Sequence, residues 1–442
     1  MKRIAWWIAL ALAVWMLTGS AATAQGGITV ESANASNQFP DGVLFDLSVH
    51  SDAEITSVRF RYTIPPEGAN VYAEPECSSG RDVQCSFNLK SNPRLFLAPG
   101  NVIIHYWQVE DAAGNKLETE PVSFVYEDNR FDWQSLSDGN LTLWYYSGSD
   151  SDLRFILQTA VEGLQRMEEL LGTKVDFPVK VFRYATAEDM QEASYRSKDK
   201  PAGIVTLGEV PFLDTALVSA DYEPLDVLRH ELAHIVTRQA VKGPFSDIPA
   251  WLNEGTSVYA QSRLLSGEEG ALASAIRSNS VLSVRSMTSS SLTSSAGNVS
   301  LFYAEAGSVV SFLVDTQGEE KFAQLFAALK EGTTIDKALQ AVYGFDQNGL
   351  DNAWRESVGL PPRETVEEDG KSTPVPHQLT PFSLDGQQGG EAQATQPAAE
   401  GDEGDNGFPV DTVVVAALAV VVVGGLALGG VALARRRRSP PS

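Results

Sequence analysis

The middle of the chain carries residues whose types and spacing suit a metal ion. His230, Glu231 and His234 form an HExxH motif inside a segment, 224–241, that has the pattern of a helix. Residues four apart on a helix lie one above the other, so the two imidazoles can reach one zinc ion with nitrogens at about 2.0–2.1 Å. Glu231 is about 100° round the helix from His230, too displaced to be a ligand, but it can point at a water on the metal. The motif therefore predicts zinc-dependent hydrolysis.

A third metal ligand is expected from a second helix. A catalytic zinc needs three protein ligands and an open fourth position. Residues 248–257, Ile-Pro-Ala-Trp-Leu-Asn-Glu-Gly-Thr-Ser, are predicted to open a helix, with Pro249 near its start. Glu254 lies on this segment, where its carboxylate can swing towards the first helix. We expect His230, His234 and Glu254 to hold one catalytic zinc ion.

These two segments together resemble a known family. An HELAH motif followed by Trp-Leu-Asn-Glu-Gly, with Glu254 twenty positions after His234, is similar to the thermolysin-like gluzincins. The resemblance is strongest to the peptidase MA-like domains of exported and membrane-bound bacterial proteins, and it spans about half of the chain, from near 131 to near 358. It implies that His230, His234 and Glu254 are the zinc ligands and that Glu231 is the general base.

The resemblance also suggests a donor for the oxyanion. In that family a Tyr starts the helix after the Glu helix, and the segment 302–308 starts one here. Tyr303 is therefore predicted to be a second catalytic residue, because its phenol can add to the stabilisation that zinc gives. The alternative is that its ring only packs under the helix. Tyr259 is a weaker candidate for the same role.

One position departs from the pattern of thermolysin. The acidic residue that orients a histidine, four positions after the ligand Glu, is replaced here by Val258. Another side chain must then fix the imidazole tautomer, and Ser257, Asn253 and Asp226 are the candidates. The resemblance further implies that the strand at 215–220, just before the motif helix, pairs with an extended substrate by β-augmentation.

The elements around the motif indicate two folded units. From about 28 to 127, β-branched and aromatic residues alternate with polar ones between Pro, Gly, Asn and Asp turns, which predicts an all-β sandwich over 27–128. Residues 106–115 resemble the end of an immunoglobulin-like or fibronectin-like module. After Trp133 the period changes to a mixture of helices and strands. We expect an α+β zincin-type metallopeptidase domain over 131–360.

Both ends of the chain carry targeting signals. Residues 1–24 have the basic start, apolar run and small residues of a signal peptide. Residues 412–434 are uncharged and long enough to cross a membrane as a helix, and the basic tail 435–442 marks the cytoplasmic side. Residues 361–410 are predicted to be a disordered acidic linker. We expect an exported, single-pass membrane protein with its N-terminus outside.

Charge and cysteine content exclude several classes of protein. The chain has 33 Lys+Arg against 57 Asp+Glu, a net charge of −24, so nucleic acid is not expected as a partner. The chain has no CxxC, which excludes a Cys-rich zinc site. Outside the cell Cys77 and Cys85 are expected to pair, although two free thiols or an intermolecular bridge stay open.

These expectations combine into one function. The sequence predicts a membrane-anchored extracellular zinc metallopeptidase that acts on a peptide or protein substrate. The alternatives are a catalytically inactive zinc-bearing scaffold on the cell surface and an adhesin in which the sandwich does the binding.

Overall fold

The N-terminal part of the chain consists of strands. The computed structural model describes residues 24–25, 27–65, 68, 70–92, 95–194, 204–243, 248–265, 267–289, 296–363 and 418–422. The N-terminal strands are β1 (Ala24–Gln25), β2 (Ile28–Gln38), β3 (Gly42–Ser51), β4 (Ile55–Thr63), β5 (Val71–Ala73), β6 (Glu76–Cys77), β7 (Asp82–Lys90), β8 (Val102–Asp111), β9 (Lys116–Glu118) and β10 (Val122–Val125). They form two antiparallel sheets, ordered β1-β2-β3-β7-β6 and β10-β8-β4-β5, with β9 paired to β8. This all-β unit fits the predicted sandwich.

The alternation in sequence produces the core between the two sheets. Along β8 every second residue is buried, so one face of the strand lies in the core. Phe60 from β4 is fully buried and lies 4.7 Å from Phe45 and 4.8 Å from Trp107, ring centre to ring centre. Cys77 and Cys85 face each other across β6 and β7 and form the predicted disulfide.

The second unit places helices around a mixed sheet. Its strands are β11 (Gln134–Asp138), β12 (Leu141–Tyr145), β13 (Val179–Tyr184), β14 (Ile204–Phe212), β15 (Thr215–Ser219) and β16 (Leu418–Val422). Its helices are α1 (Asp150–Leu171), α2 (Ala187–Gln191), α3 (Pro224–Ala240), α4 (Ala250–Ala260), α5 (Glu268–Arg277), α6 (Ala296–Gln317), α7 (Glu319–Lys330), α8 (Ile335–Tyr343) and α9 (Gln347–Ser357), with a 3-10 turn at Ser286–Thr288. The predicted α+β architecture is confirmed.

The order of the strands in this sheet decides which strand has a free edge. The order is β11-β12-β13-β15-β14-β16, with β12, β13 and β15 parallel and β14 antiparallel to β15. The strand at 215–220, predicted to pair with a substrate, therefore lies inside the sheet with both edges hydrogen-bonded to neighbours. That prediction is wrong, because the short β14–β15 turn inserts β14 on the outer side of β15.

The C-terminal part differs from its prediction where it can be compared. Of residues 412–434, predicted to be a transmembrane helix, the structure describes only Leu418–Val422, as a strand antiparallel to β14. Valine-rich segments favour strands, and an edge strand offers unpaired backbone groups to them. The predicted signal peptide (except Ala24), the linker beyond 363 and the basic tail lie outside the described residues. Among those described, Val299–Gln317 is a helix long and apolar enough to cross a membrane, and 61% of it is buried inside the protein.

A charged and aromatic junction joins the two units. The Arg130 guanidinium lies 5.0 Å from the ring centre of Phe39 in the sandwich and 4.9 Å from that of Phe131. It pairs with the buried carboxylate of Asp128 at 2.6 Å and with Glu192, just after α2, at 2.9 Å. The sandwich is therefore tied to the helix that follows β13.

The sandwich core contains a histidine that makes its stability depend on pH. The His105 ring is buried 4.6 Å from Phe45, and burial lowers its pKa from 6.5 to about 4. As the pH falls, His105 is protonated in the unfolded chain before it is protonated in the folded one, which favours unfolding. The contribution of the neutral ring to the free energy of unfolding is therefore fully present above pH 6.5. It is lost as the pH falls towards 4, at up to about 1.4 kcal/mol per pH unit.

We expect His105→Phe to remove this part of the acid sensitivity. The free energy of unfolding of the variant, measured by denaturant titration of the purified protein between pH 7 and pH 4, will fall less steeply than that of the parent. Parallel pH profiles for the two proteins would contradict the assignment.

Candidate metal centre

Two helices bring the three predicted metal ligands together. His230 and His234 lie one turn apart on α3, with ring centres 4.8 Å apart. Glu254 on α4 places Oε2 at 3.5 Å from His230 Nε2 and 3.4 Å from His234 Nε2. One ligand atom from each residue lies within 4.8 Å of the other two, and all three residues are buried. The predicted ligand set is therefore a compact group in space.

The facing atoms of this group fit a zinc ion. Among the residues that the structure describes, His230 Nε2, His234 Nε2 and Glu254 Oε2 have no hydrogen-bond partner, although each is buried. Buried polar atoms are nearly always paired, so three that converge on one point fit the binding of a cation. Two imidazole nitrogens and a carboxylate oxygen are the donor set of a catalytic zinc with an open position.

The protonation states agree with metal binding. Burial lowers the pKa of His230 to about 4, so its ring is neutral at neutral pH and can offer a lone pair. Burial acts to raise the pKa of Glu254, but the two adjacent histidines outweigh it and hold that pKa below its usual value. The centre thus presents a neutral imidazole and an ionised carboxylate without any need to lose a proton first.

Hydrogen bonds behind the histidines fix the two rings. His234 Nδ1 lies 2.9 Å from Ser257 Oγ and 3.3 Å from Asn253 Oδ1, so both of these candidates reach a ring. His230 Nδ1 lies 2.9 Å from Gln261 Nε2, a residue that was not among the predicted partners of the histidines. Gln261 Oε1 is buried without a partner among the described residues, and a 180° rotation of the amide lets it accept from Nδ1–H.

Asp226, the third residue predicted to orient a histidine, forms hydrogen bonds with Ser262 instead. Asp226 accepts hydrogen bonds from the backbone nitrogen of Ser262 at 2.8 Å and from its hydroxyl at 2.7 Å. It therefore holds the residue next to Gln261 rather than an imidazole. Gln261 lies four residues after Ser257 and seven after Glu254, so helical spacing alone would have placed it on the same face of α4.

α4 packs closely on α6, the helix that carries Tyr303. A Cβ added at Gly255 would lie 2.4 Å from the Ala306 carbonyl oxygen, and one added at Gly307 would lie 2.4 Å from Val258 Cγ1. The two glycines thus let the helices approach closely, and Val258 fills the space beside Gly307. This packing explains why an apolar side chain suits position 258.

The structure distinguishes the two tyrosine candidates. Tyr303 on α6 is 3% exposed, and its ring centre lies 6.0 Å from that of His230. The Tyr259 hydroxyl instead lies 3.5 Å from Asp315, and its ring lines a cavity of about 330 Å³ together with Arg166 and Arg229. Of the two, Tyr303 is the one brought to the histidines.

The general-base candidate is enclosed between a helix and a strand. Glu231 is fully buried on α3, adjacent in sequence to His230. Its carboxyl group lies against β14 at Gly208, where an added Cβ would come within 2.5 Å of Glu231 Oε1. The structure therefore assembles all five predicted site residues, the three ligands with Glu231 and Tyr303, in one buried region.

Comparison with protein families agrees with this geometry. Residues 159–359 match the model of the Peptidase MA superfamily. The match begins within α1, ends just after α9 and includes every residue of the centre. The resemblance to peptidase MA-like domains, made from the HExxH motif and the Glu254 segment, is confirmed, and the family supports a peptidase hydrolase.

Two solved structures are similar to the chain at low identity. An M1 zinc metallopeptidase from Deinococcus radiodurans is 14% identical, with 76% of this chain and 96% of that chain covered and a TM-score of 0.37. A mutant of an M1 zinc metallopeptidase from the same organism, bound to a Tyr-Ser-Ala substrate, is 14% identical, with 72% and 90% covered and a TM-score of 0.36. No curated protein matches the chain.

The hydrogen bond behind His230 gives a test of the centre. We expect Gln261→Ala to weaken zinc binding by about 10–100-fold, because an unsupported imidazole loses its orientation and tautomer. Zinc affinity is measured by competition with a chelator of known affinity. Gln324→Ala, on the exposed face of α7, is the matched control and keeps the parental affinity. Equal affinities for the two variants would show that Gln261 does not support His230.

Proposed function

We propose that this chain is a zinc metallopeptidase that hydrolyses peptide bonds at the centre formed by His230, His234 and Glu254. The observation that carries the proposal is the convergence of three buried ligand atoms on α3 and α4, with the buried Glu231 next to His230 in the sequence. The centre lies in a segment that matches the Peptidase MA superfamily. A peptide or protein is accordingly the proposed substrate.

The parts required for hydrolysis are all present in this region. When bound by the three ligands, zinc would act as a Lewis acid that polarises a peptide carbonyl and lowers the pKa of water. Glu231 takes the proton of the attacking water and returns it to the leaving amine. The Tyr303 hydroxyl is the proposed donor to the oxyanion. Ser257, Asn253 and Gln261 hold the imidazoles in the tautomer that leaves each Nε2 lone pair free.

The burial of these groups strengthens each interaction. Glu231 and His234 are fully buried and His230 is 1% exposed. Charges and dipoles that are fixed in a region without bulk water interact more strongly than in solution, and they need no reorganisation during the reaction. The centre is therefore organised before a substrate arrives.

Glu231→Gln separates catalysis from metal binding. We expect this variant to keep its zinc and to lose peptide cleavage by about 10²–10⁴-fold, because an amide cannot accept the proton of water. Cleavage is measured with a peptide library, and zinc content by elemental analysis. Glu162→Gln, an exposed change on α1, is the control and keeps the parental rate. Retained zinc with no cleavage by the parent protein would favour the scaffold over the enzyme.

We further propose that the peptidase is exported and anchored in the cell membrane. The predicted signal peptide at 1–24, the apolar segment 412–434 and the four arginines at 435–438 support this orientation. Inside a bilayer the backbone of 412–434 must satisfy its own hydrogen bonds, so it would be helical there. The strand pairing of Leu418–Val422 with β14 and the membrane-inserted form therefore exclude each other.

Truncation tests the anchor. Removal of residues 412–442 is expected to release the peptidase from the membrane fraction into the medium, as detected by immunoblot. A variant with Arg435 to Arg438 replaced by Gln keeps the apolar segment and serves as the comparison for orientation, probed by added protease on intact cells. A full-length protein found in the soluble fraction would contradict the anchor.

A further inference from the structure

The strand that borders Glu231 has no side chain at the point of contact. Gly208 lies on β14, opposite Val218 of β15. A Cβ added at Gly208 would lie 2.5 Å from Glu231 Oε1, 2.7 Å from Cγ and 2.8 Å from Cδ. We infer that Gly208 is a positioning residue: the space left by its missing side chain holds the carboxyl end of Glu231. The inference rests on the proposed function, in which Glu231 is the base.

Backbone conformation does not explain a glycine at this position. Gly208 is not among the glycines with positive φ, so its φ angle does not require a glycine. A glycine inside a strand weakens the strand, and it commonly marks a place where another group approaches closely. At Gly208 the approaching group is the Glu231 side chain. A glycine is therefore required at 208 because a side chain there would overlap Glu231.

Hydrogen bonds hold the strand next to Gly208. On the α3 side, Arg238 donates a hydrogen bond from Nη2 to the carbonyl oxygen of Val210 at 3.1 Å. On the other side, the Ser194 hydroxyl donates to the buried carboxylate of Glu209. These contacts fix the two residues that come after Gly208, one to each neighbouring layer. A side chain at 208 must therefore displace Glu231 rather than β14.

Glu231 lies inside α3, so the helix fixes the position of its backbone. His230 precedes it directly on α3, and Gln261 and Tyr303 contact or border that histidine. A larger group at 208 overlaps three atoms of Glu231, so the carboxylate must leave its present rotamer. A misplacement of about 1 Å at a reacting group can lower a rate by about 10²-fold. The zinc ligands are not among the atoms overlapped.

Kinetics of the full-length protein give the first test. We expect Gly208→Ala to lower kcat for peptide cleavage by about 10²-fold, with KM and zinc content close to the parental values. Gly270→Ala is the matched control, because Gly270 is on α5 and no described atom lies within 4 Å of an added Cβ. The control keeps the parental kcat. A Gly208→Ala variant with the parental kcat would overturn the inference.

Thermal unfolding of the metal-free protein gives a second test that does not depend on activity. We expect Gly208→Ala to lower Tm by several degrees in the parent, because overpacking strains the interior. In a Glu231→Ala background the same change should leave Tm unaltered or raise it, since the overlapping atoms are gone. Equal Tm shifts in both backgrounds would overturn the contact. If the parent protein does not cleave peptides, the proposed function is wrong. The Tm shifts would still test whether Gly208 contacts Glu231.

Discussion

Everything in the peptidase domain depends on holding three unpaired ligand atoms against one another in a buried place. Glu254 Oε2 on α4 lies 3.5 Å from His230 Nε2 and 3.4 Å from His234 Nε2 on α3, and none of the three atoms has a hydrogen-bond partner among the described residues. Burying such groups costs free energy unless a cation or a donor satisfies them. The surrounding packing must therefore supply stability that the centre itself lacks in the absence of metal.

That stability comes from apolar packing around a small polar region. Gly255 and Gly307 let α4 and α6 approach closely, so Glu254 is held on a helix that cannot easily shift. The Nδ1–H groups donate hydrogen bonds to Ser257 and Gln261 on the far sides of the rings, which leaves the near sides open. Rigid apolar contacts thus set the positions of the helices, while a few hydrogen bonds set the angles of the rings.

The sandwich shares a structural boundary with this domain. Asp128 and Arg130 connect it to Glu192, near the C-terminal end of α2. Shortly after α2, Ser194 binds Glu209 on β14, the strand that meets Glu231. A continuous set of contacts therefore runs from the sandwich junction to the wall of the centre.

Features that depend only on local periodicity and side-chain chemistry can be predicted from the amino-acid sequence. The i, i+4 spacing of His230 and His234 places both rings on one face of a helix, wherever that helix lies in the fold. The alternation of apolar and polar residues over 28–127 likewise predicts strands with one buried face, whichever strands they pair with. The pattern at 215–220 predicts a strand, but it does not predict that the strand lies inside the sheet. Contacts such as Gly208 with Glu231 and Gln261 with His230 were decided by the tertiary structure alone. They join residues far apart in the chain, and only the packing of complete elements fixes those distances.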